Sequence, residues 1–176
     1  EIRQMFAQYV PPEVVAELVA HPERFRLGGE TRELTVMFTD LAGFTDLSER
    51  LRPEDTVAVL TEYFDTMTAI VHHHRGTVDK FIGDAVMAFW GAPLPTPEHA
   101  RLALAAAREM QAAVAALSQR LQARGLPALR MRIGLHSGPA VVGNIGSASR
   151  FSYTAVGDTV NLAARLEGAN KAFGSG

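Results

Sequence analysis

Cysteine is absent from the 176-residue chain, which excludes disulfides and thiolate metal sites. That absence is compatible with a reducing cytosol, so a cytoplasmic location is the expectation, with any membrane anchor lying elsewhere in a longer parent protein. No run approaches the roughly 20 apolar residues of a membrane span. The most apolar helix candidate is broken by Arg101, Arg108 and Glu109. No signal peptide is recognisable. A basic excess is missing too, and the formal net charge of -2 argues against a nucleic-acid partner held mainly by phosphate neutralisation. Nor is there a Walker-type phosphate loop, a zinc-protease helix motif or a serine nucleophile elbow. The chain begins at Glu1 and ends in Gly174-Ser175-Gly176, which reads as a segment of a longer protein. No membrane contact is expected within it.

What is present fits one globular core, at 47% hydrophobic and 20% charged residues. Pro11-Pro12 starts a short amphipathic helix through Val14, Val15, Leu18 and Val19, and residues 1–30 read as a preamble. Leu34, Val36 and Phe38 alternate with Thr35, Met37 and Thr39 in a strand that runs into Asp40. After a loop, Pro53-Glu54-Asp55 opens a helix whose core stripe is Val57, Leu60, Phe64, Met67 and Val71. Residues 78–82 and 85–89 form a hairpin around Gly83-Asp84, with Gly83 taking the positive φ. Thr96 reads as the N-cap of the next helix, and its stripe runs from Leu102 to Leu121. A strand over residues 129–136 is turned back by Gly138-Pro139. Two short strands then flank a Gly146-Ser147-Ala148-Ser149 loop, and Gly157-Asp158 precedes a last helix. The order is that of an α+β, ferredoxin-like βαββαβ core with extra strands and a C-terminal helix. In that plan the first strand lies beside the hairpin, which makes Asp40 and Asp84 neighbours.

Two neighbouring carboxylates suit magnesium, which keeps an octahedral oxygen shell completed by phosphates and water. A pair of such ions can activate one oxygen and stabilise another during in-line displacement at phosphorus. Each aspartate also has a plainer reading, as the turn residue after a strand and as a hairpin-tip residue. Leu41, Gly43, Phe44 and Thr45 can present backbone N–H groups to phosphate oxygens, Gly43 allowing close approach. Lys80 alternates with Phe81 and projects from the opposite sheet face, where a lysine needs no special explanation. Asn161 and Arg165, spaced i, i+4, share a helix face. They can serve a sugar and a phosphate, or the face can simply be solvated with Arg165 pairing Asp158 or Glu167. The His72-His73-His74 run points three ways and suits a helix end better than a metal site. His136 reads as a hydrogen-bonded core or edge residue.

In four ordered motifs the chain resembles the class III adenylate/guanylate cyclase catalytic domain. These are Phe38-Thr39-Asp40-Leu41-Ala42-Gly43-Phe44-Thr45, Asp79-Lys80-Phe81-Ile82-Gly83-Asp84, Arg132-Ile133-Gly134-Leu135-His136-Ser137-Gly138, and the run from Tyr153 to Glu167. The resemblance implies conversion of ATP to 3′,5′-cyclic AMP and pyrophosphate, with Asp40 and Asp84 as ligands of two Mg2+ or Mn2+ ions. It places Lys80 and Thr154 at the purine, Asn161 at the ribose and Arg165 at the phosphates. Threonine at position 154 resembles a bacterial subgroup that includes bicarbonate-responsive cyclases. Chemistry agrees with the choice of adenine, because lysine donates to adenine N1 whereas guanine presents a donor there. The resemblance further implies a homodimer with shared sites, Asp40 and Asp84 from one chain and Lys80, Thr154, Asn161 and Arg165 from the other.

By the same resemblance, residues 1–30 are a transducing element below an upstream regulatory domain. Residues 31–176 are then the catalytic domain, cut short before the family's last strands and a triphosphate-binding lysine. A non-catalytic nucleotide-binding dimerisation domain and a guanylate cyclase are the competing readings. A diguanylate cyclase has no support, since its Gly-Gly-Asp/Glu-Glu-Phe run is missing.

Overall fold

The computed structural model describes residues 2–24, 28–147 and 149–173. Glu1, Ala148 and Gly174-Ser175-Gly176, named above, lie outside them. Helices α1 (Ile2–Phe6) and α2 (Pro12–Ala20) and a 3-10 turn (Pro22–Arg24) precede strand β1 (Glu30–Ala42). There follow α3 (Phe44–Arg50), α4 (Pro53–His73), β2 (Thr77–Ile82), β3 (Ala85–Trp90), α5 (His99–Ala123), β4 (Arg130–Asn144), β5 (Tyr153–Val156) and α6 (Asp158–Phe173). The sheet order is β2-β3-β1-β4-β5, and neighbours are antiparallel throughout. Strand β3 lies between β1 and β2, the split βαβ arrangement expected of the ferredoxin-like plan.

Strand alternation divides the core in two. Met37, Leu41, Val86, Ala88, Trp90 and Met131 face α4 and α5, where Tyr63, Met67, Ala106 and Met110 close against them. Leu34, Val36, Met87, Phe89, Ala140 and Val142 point the other way. That second face is covered by Phe6, Val14 and Leu18 of the N-terminal helices and by Val160 and Ala163 of α6. The preamble is therefore part of the packed body. Tyr9 ties it to both outer strands: its carbonyl accepts from Val78 N–H at 2.8 Å, and its hydroxyl accepts from Tyr153 N–H at 3.3 Å.

Several local expectations are corrected. Gly138-Pro139 does not reverse the chain. β4 runs unbroken through it, with Leu34 opposite Gly138 and Glu33 opposite Pro139. The glycine leaves room for Thr159, whose hydroxyl donates to the Pro139 carbonyl at 2.7 Å. The loop after Asp40 is shorter than expected, because β1 continues to Ala42 and α3 starts at Phe44. Thr96 is not the N-cap of α5, which begins at His99 after Glu98; the Thr96 hydroxyl donates to Leu94 O instead. Val57 is 62% exposed and does not join the core stripe. The histidine run does diverge at the end of α4, with His72 meeting Tyr9 O and His74 meeting Glu109.

Gly134 marks the crossing of β4 and α6. A Cβ there would run into the backbone of Ala163 and Glu167. Gly134→Ala is expected to destabilise the domain by about 1–3 kcal/mol, read as a lower urea midpoint at an unchanged slope.

Candidate active site

β1 delivers Asp40 to the end of the sheet that also carries the β2–β3 tip. The register Thr39↔Val86 leaves Asp84 just beyond the ladder. Its Oδ2 accepts a hydrogen bond from Leu41 N–H at 2.8 Å. The expected juxtaposition of Asp40 and Asp84 is thus present, one main-chain amide apart.

Across the other ladder Asp40 stands opposite Arg132. The guanidinium grips it with two hydrogen bonds, Nε to Oδ1 at 2.7 Å and Nη2 to Oδ2 at 3.0 Å. These bonds raise the Arg132 pKa above its ordinary value. Glu167 of α6 completes the cluster, with its Oε1 3.9 Å from Arg132 Nε and buried without a hydrogen-bond partner. Burial, then the neighbouring Asp40, push the Glu167 carboxyl up to about 7. The residue-by-residue reading of the sequence missed Arg132 and Glu167. Both lie within the quoted motifs, but only strand register and helix packing bring them to Asp40.

The segment after Asp40 is already partly engaged. Leu41 N–H is spent on Asp84, so it is not free for a phosphate. Gly43 has φ +91°, and a Cβ would strike the Ala128 carbonyl, so glycine is required here by the protein's own backbone. Phe44 and Thr45 open α3, whose first-turn amides have no capping side chain.

Lys80 and Thr154 lie on the two outermost strands, β2 and β5, yet the structure brings them to one place. The link is Asp79, which was assigned no role from the sequence. A bulge between Val78 and Lys80 shifts the β2 register. Thr154 Oγ1 donates to Asp79 Oδ2 at 2.5 Å, and Lys80 Nζ lies 3.7 Å from Asp79 Oδ1. Asp79 and Lys80 open on a cavity of about 1050 Å³, also lined by Tyr9, Phe81 and Arg150; neither Asp40 nor Asp84 lines it.

Asn161 and Arg165 are exposed on α6. Ala163 and Glu167, on the opposite side of that helix, face the sheet. Arg165 pairs with neither Asp158 nor Glu167 among the described residues. One chain therefore assembles the carboxylates with Arg132, and the Lys80–Asp79–Thr154 group separately, and leaves Asn161 and Arg165 turned outward.

Among the described residues no group of three or more acidic or histidine side chains is placed to hold a metal ion. Asp40 and Asp84 supply two oxygen donors of the kind a hard divalent cation takes, with the rest of its shell left to substrate and water, and Arg132 holds the Asp40 carboxylate. Asp40 and Asp84 are the residues that would hold the ion.

The model of the adenylate and guanylate cyclase catalytic domain family matches residues 29–172. Adenylate cyclase 1 of Rhizobium meliloti (strain 1021) is 44% identical over 97% of this chain, which corresponds to 26% of that protein. The crystal structure of the adenylyl cyclase CyaB from P. aeruginosa superposes with a TM-score of 0.77 at 39% identity, covering 81% of this chain and 74% of that one. The guanylyl cyclase Cya2 is as similar, with a TM-score of 0.75 and 44% identity over 81% of this chain and 72% of its own. The chain belongs to the class III adenylate and guanylate cyclase catalytic domain family. It spans between 26% and 29% of the length of the curated relatives it matches.

The Glu167 environment has a measurable consequence in metal-free protein. Its carboxyl is raised from an ordinary 4.5 to about 7, so between those values the folded state binds more protons than the unfolded one. The stabilisation it lends is full below about pH 4.5 and is lost as pH rises through about 7. Thermal melts across that window should show wild-type stability declining with pH, and Glu167→Gln should flatten the decline.

Proposed function

We propose that the domain converts ATP to 3′,5′-cyclic AMP and pyrophosphate at sites shared between two copies of the chain. The observation that carries this reading is the meeting of Lys80 and Thr154 at Asp79, in a chain that separately brings Asp40 and Asp84 together. In the reaction the ribose 3′-oxygen bonds to the α-phosphorus, the bond to the bridging oxygen breaks, pyrophosphate leaves with the electron pair, and the hydroxyl proton passes to solvent. Two Mg2+ or Mn2+ ions held by Asp40 and Asp84 would lower the pKa of that hydroxyl and offset charge on the leaving group.

The protein's own groups divide the remaining tasks. Lys80 donates to adenine N1, and the Thr154 hydroxyl accepts from the adenine amino group. Asn161 orients the ribose, and Arg165 offers a fork of donors to the phosphates as charge develops. A cation at Asp40 would compete for the carboxylate oxygens that Arg132 holds, and Arg132 would remain nearby as a positive charge for the triphosphate. Phe44 and Thr45 contribute main-chain N–H groups at the start of α3.

Sharing of the site is supported by α6, which turns Glu167 toward Asp40 and Asn161 and Arg165 away from it. Two-fold pairing of copies would set the outward face of one chain against the carboxylates of the other. The preamble, bound to both outer strands through Tyr9, would pass on a signal from an upstream regulatory domain of the parent protein. Among the described residues no helix is long and apolar enough to cross a membrane.

GTP is the competing substrate, given the likeness to Cya2. An ATP against GTP turnover assay with Mn2+ separates the two, and preference for GTP would overturn the adenine reading. Asp40→Ala and Arg165→Ala should each be inactive alone. Mixed in equal amounts they should recover about a quarter of wild-type activity, since half of the dimers are mixed and each carries one intact site of two. No recovery from two folded variants would remove the shared site.

A further inference from the structure

Asp79 is the one charged side chain in the buried class among the described residues, and the proposed chemistry does not use it. Its side chain is 1% exposed, although the residue lines the cavity on which Lys80 opens. It receives the hydroxyl proton of Thr154 at 2.5 Å and faces the Lys80 ammonium at 3.7 Å. The bond also crosses the sheet from one outer strand to the other.

We propose that Asp79 is a positioning residue for purine selection: it takes the only proton of Thr154 and leaves that hydroxyl able to accept, but not donate, toward the base. This rests on the reading of Lys80 and Thr154 as the purine contacts. A hydroxyl by itself is a poor discriminator, because it rotates to donate to a carbonyl or accept from an amine. A carboxylate can only accept. With its proton held by Asp79, Thr154 matches the amino group of adenine and opposes the C6 carbonyl of guanine. Lys80 matches adenine N1 and opposes the N1–H of guanine, so guanine meets two mismatches instead of one.

Lys80 also supports the polarity of the pair. Burial pushes the Asp79 carboxyl up, while the Thr154 hydrogen bond and the Lys80 charge pull it back toward the ionised form. In Asp79→Asn the ammonium would favour the amide oxygen on its own side, which turns the amide N–H toward Thr154. The hydroxyl proton would then be released toward the base.

The test is the ratio of kcat/KM for ATP to that for GTP, with inosine triphosphate as a probe lacking the guanine 2-amino group, in the protein that carries this domain. Asp79→Asn should lower the ATP:GTP and ATP:ITP ratios about tenfold, whereas a purely structural defect would depress all three substrates alike. Thr154→Val should lower the ratios too, and adding it to Asp79→Asn should change them little further, because the two act as one unit. An unchanged ratio in Asp79→Asn beside a lowered one in Thr154→Val overturns this inference and leaves the purine reading standing. Unchanged ratios in both Thr154→Val and Lys80→Ala overturn the purine reading and the inference with it. Should Asp79→Asn not fold, neutron diffraction on the wild-type protein locates the deuteron directly. Between Thr154 Oγ1 and Asp79 it supports the proposal; pointing into the site it refutes it.

Discussion

Everything at the site hangs on β1 being hydrogen-bonded along both edges. Its ladder with β4 runs for thirteen residues without a break, and its ladder with β3 fixes the hairpin on the other side. Side chains alternate across a pleat, so these two registers leave little choice. Asp40 must face the same side as Arg132, and Asp84 must arrive where Leu41 N–H can meet it. A slip of one residue in either ladder would send Asp40 into the apolar layer with Met37 and Leu41 and strip both carboxylates of their partners.

The consequence is a separation of charge that suits a shared site. Asp40 and Glu167 flank one guanidinium beneath α6, with Asp84 one main-chain amide away. The second polar group, around Asp79, forms where the two outer strands curl toward each other. The α6 helix packs on β4 and β1. Its inner side presses on the sheet closely enough to require glycine at position 134. Its outer side offers Asn161 and Arg165 to whatever lies opposite. A triphosphate with a base at one end and two metals at the other would span more than one copy supplies at a single location, and the arrangement therefore agrees with a two-fold assembly.

Much of the fold was legible because its signals are local. The period-two runs of β1, β2 and β3, the Gly83-Asp84 tip and the apolar stripe of α5 all appear where the sequence places them. Order of elements then implied the antiparallel core and the nearness of Asp40 to Asp84. Local signals also misled. Gly138-Pro139 carries strong turn chemistry, yet β4 passes straight through because β1 supplies a long partner and Thr159 needs the space above the glycine. Residues 1–30 read from the sequence only as a preamble, since nothing in their own helix pattern says which surface they cover. Their burial depends on an open sheet face that no single segment reveals.

By itself the sequence determined which residue types were available: hard oxygen donors without thiols, a lysine and a threonine on separate strands, and an asparagine and arginine one helical turn apart. It also determined the family, through four motifs in order. Only the tertiary structure decided the company those residues keep. Arg132 lies 92 positions from the Asp40 it grips, and Thr154 lies 75 from the Asp79 that holds its proton. The reason is physical. Local propensity acts over a few residues, whereas a hydrogen bond between distant strands depends on register, twist and what packs above, and these exist only once the whole sheet has closed around its two cores.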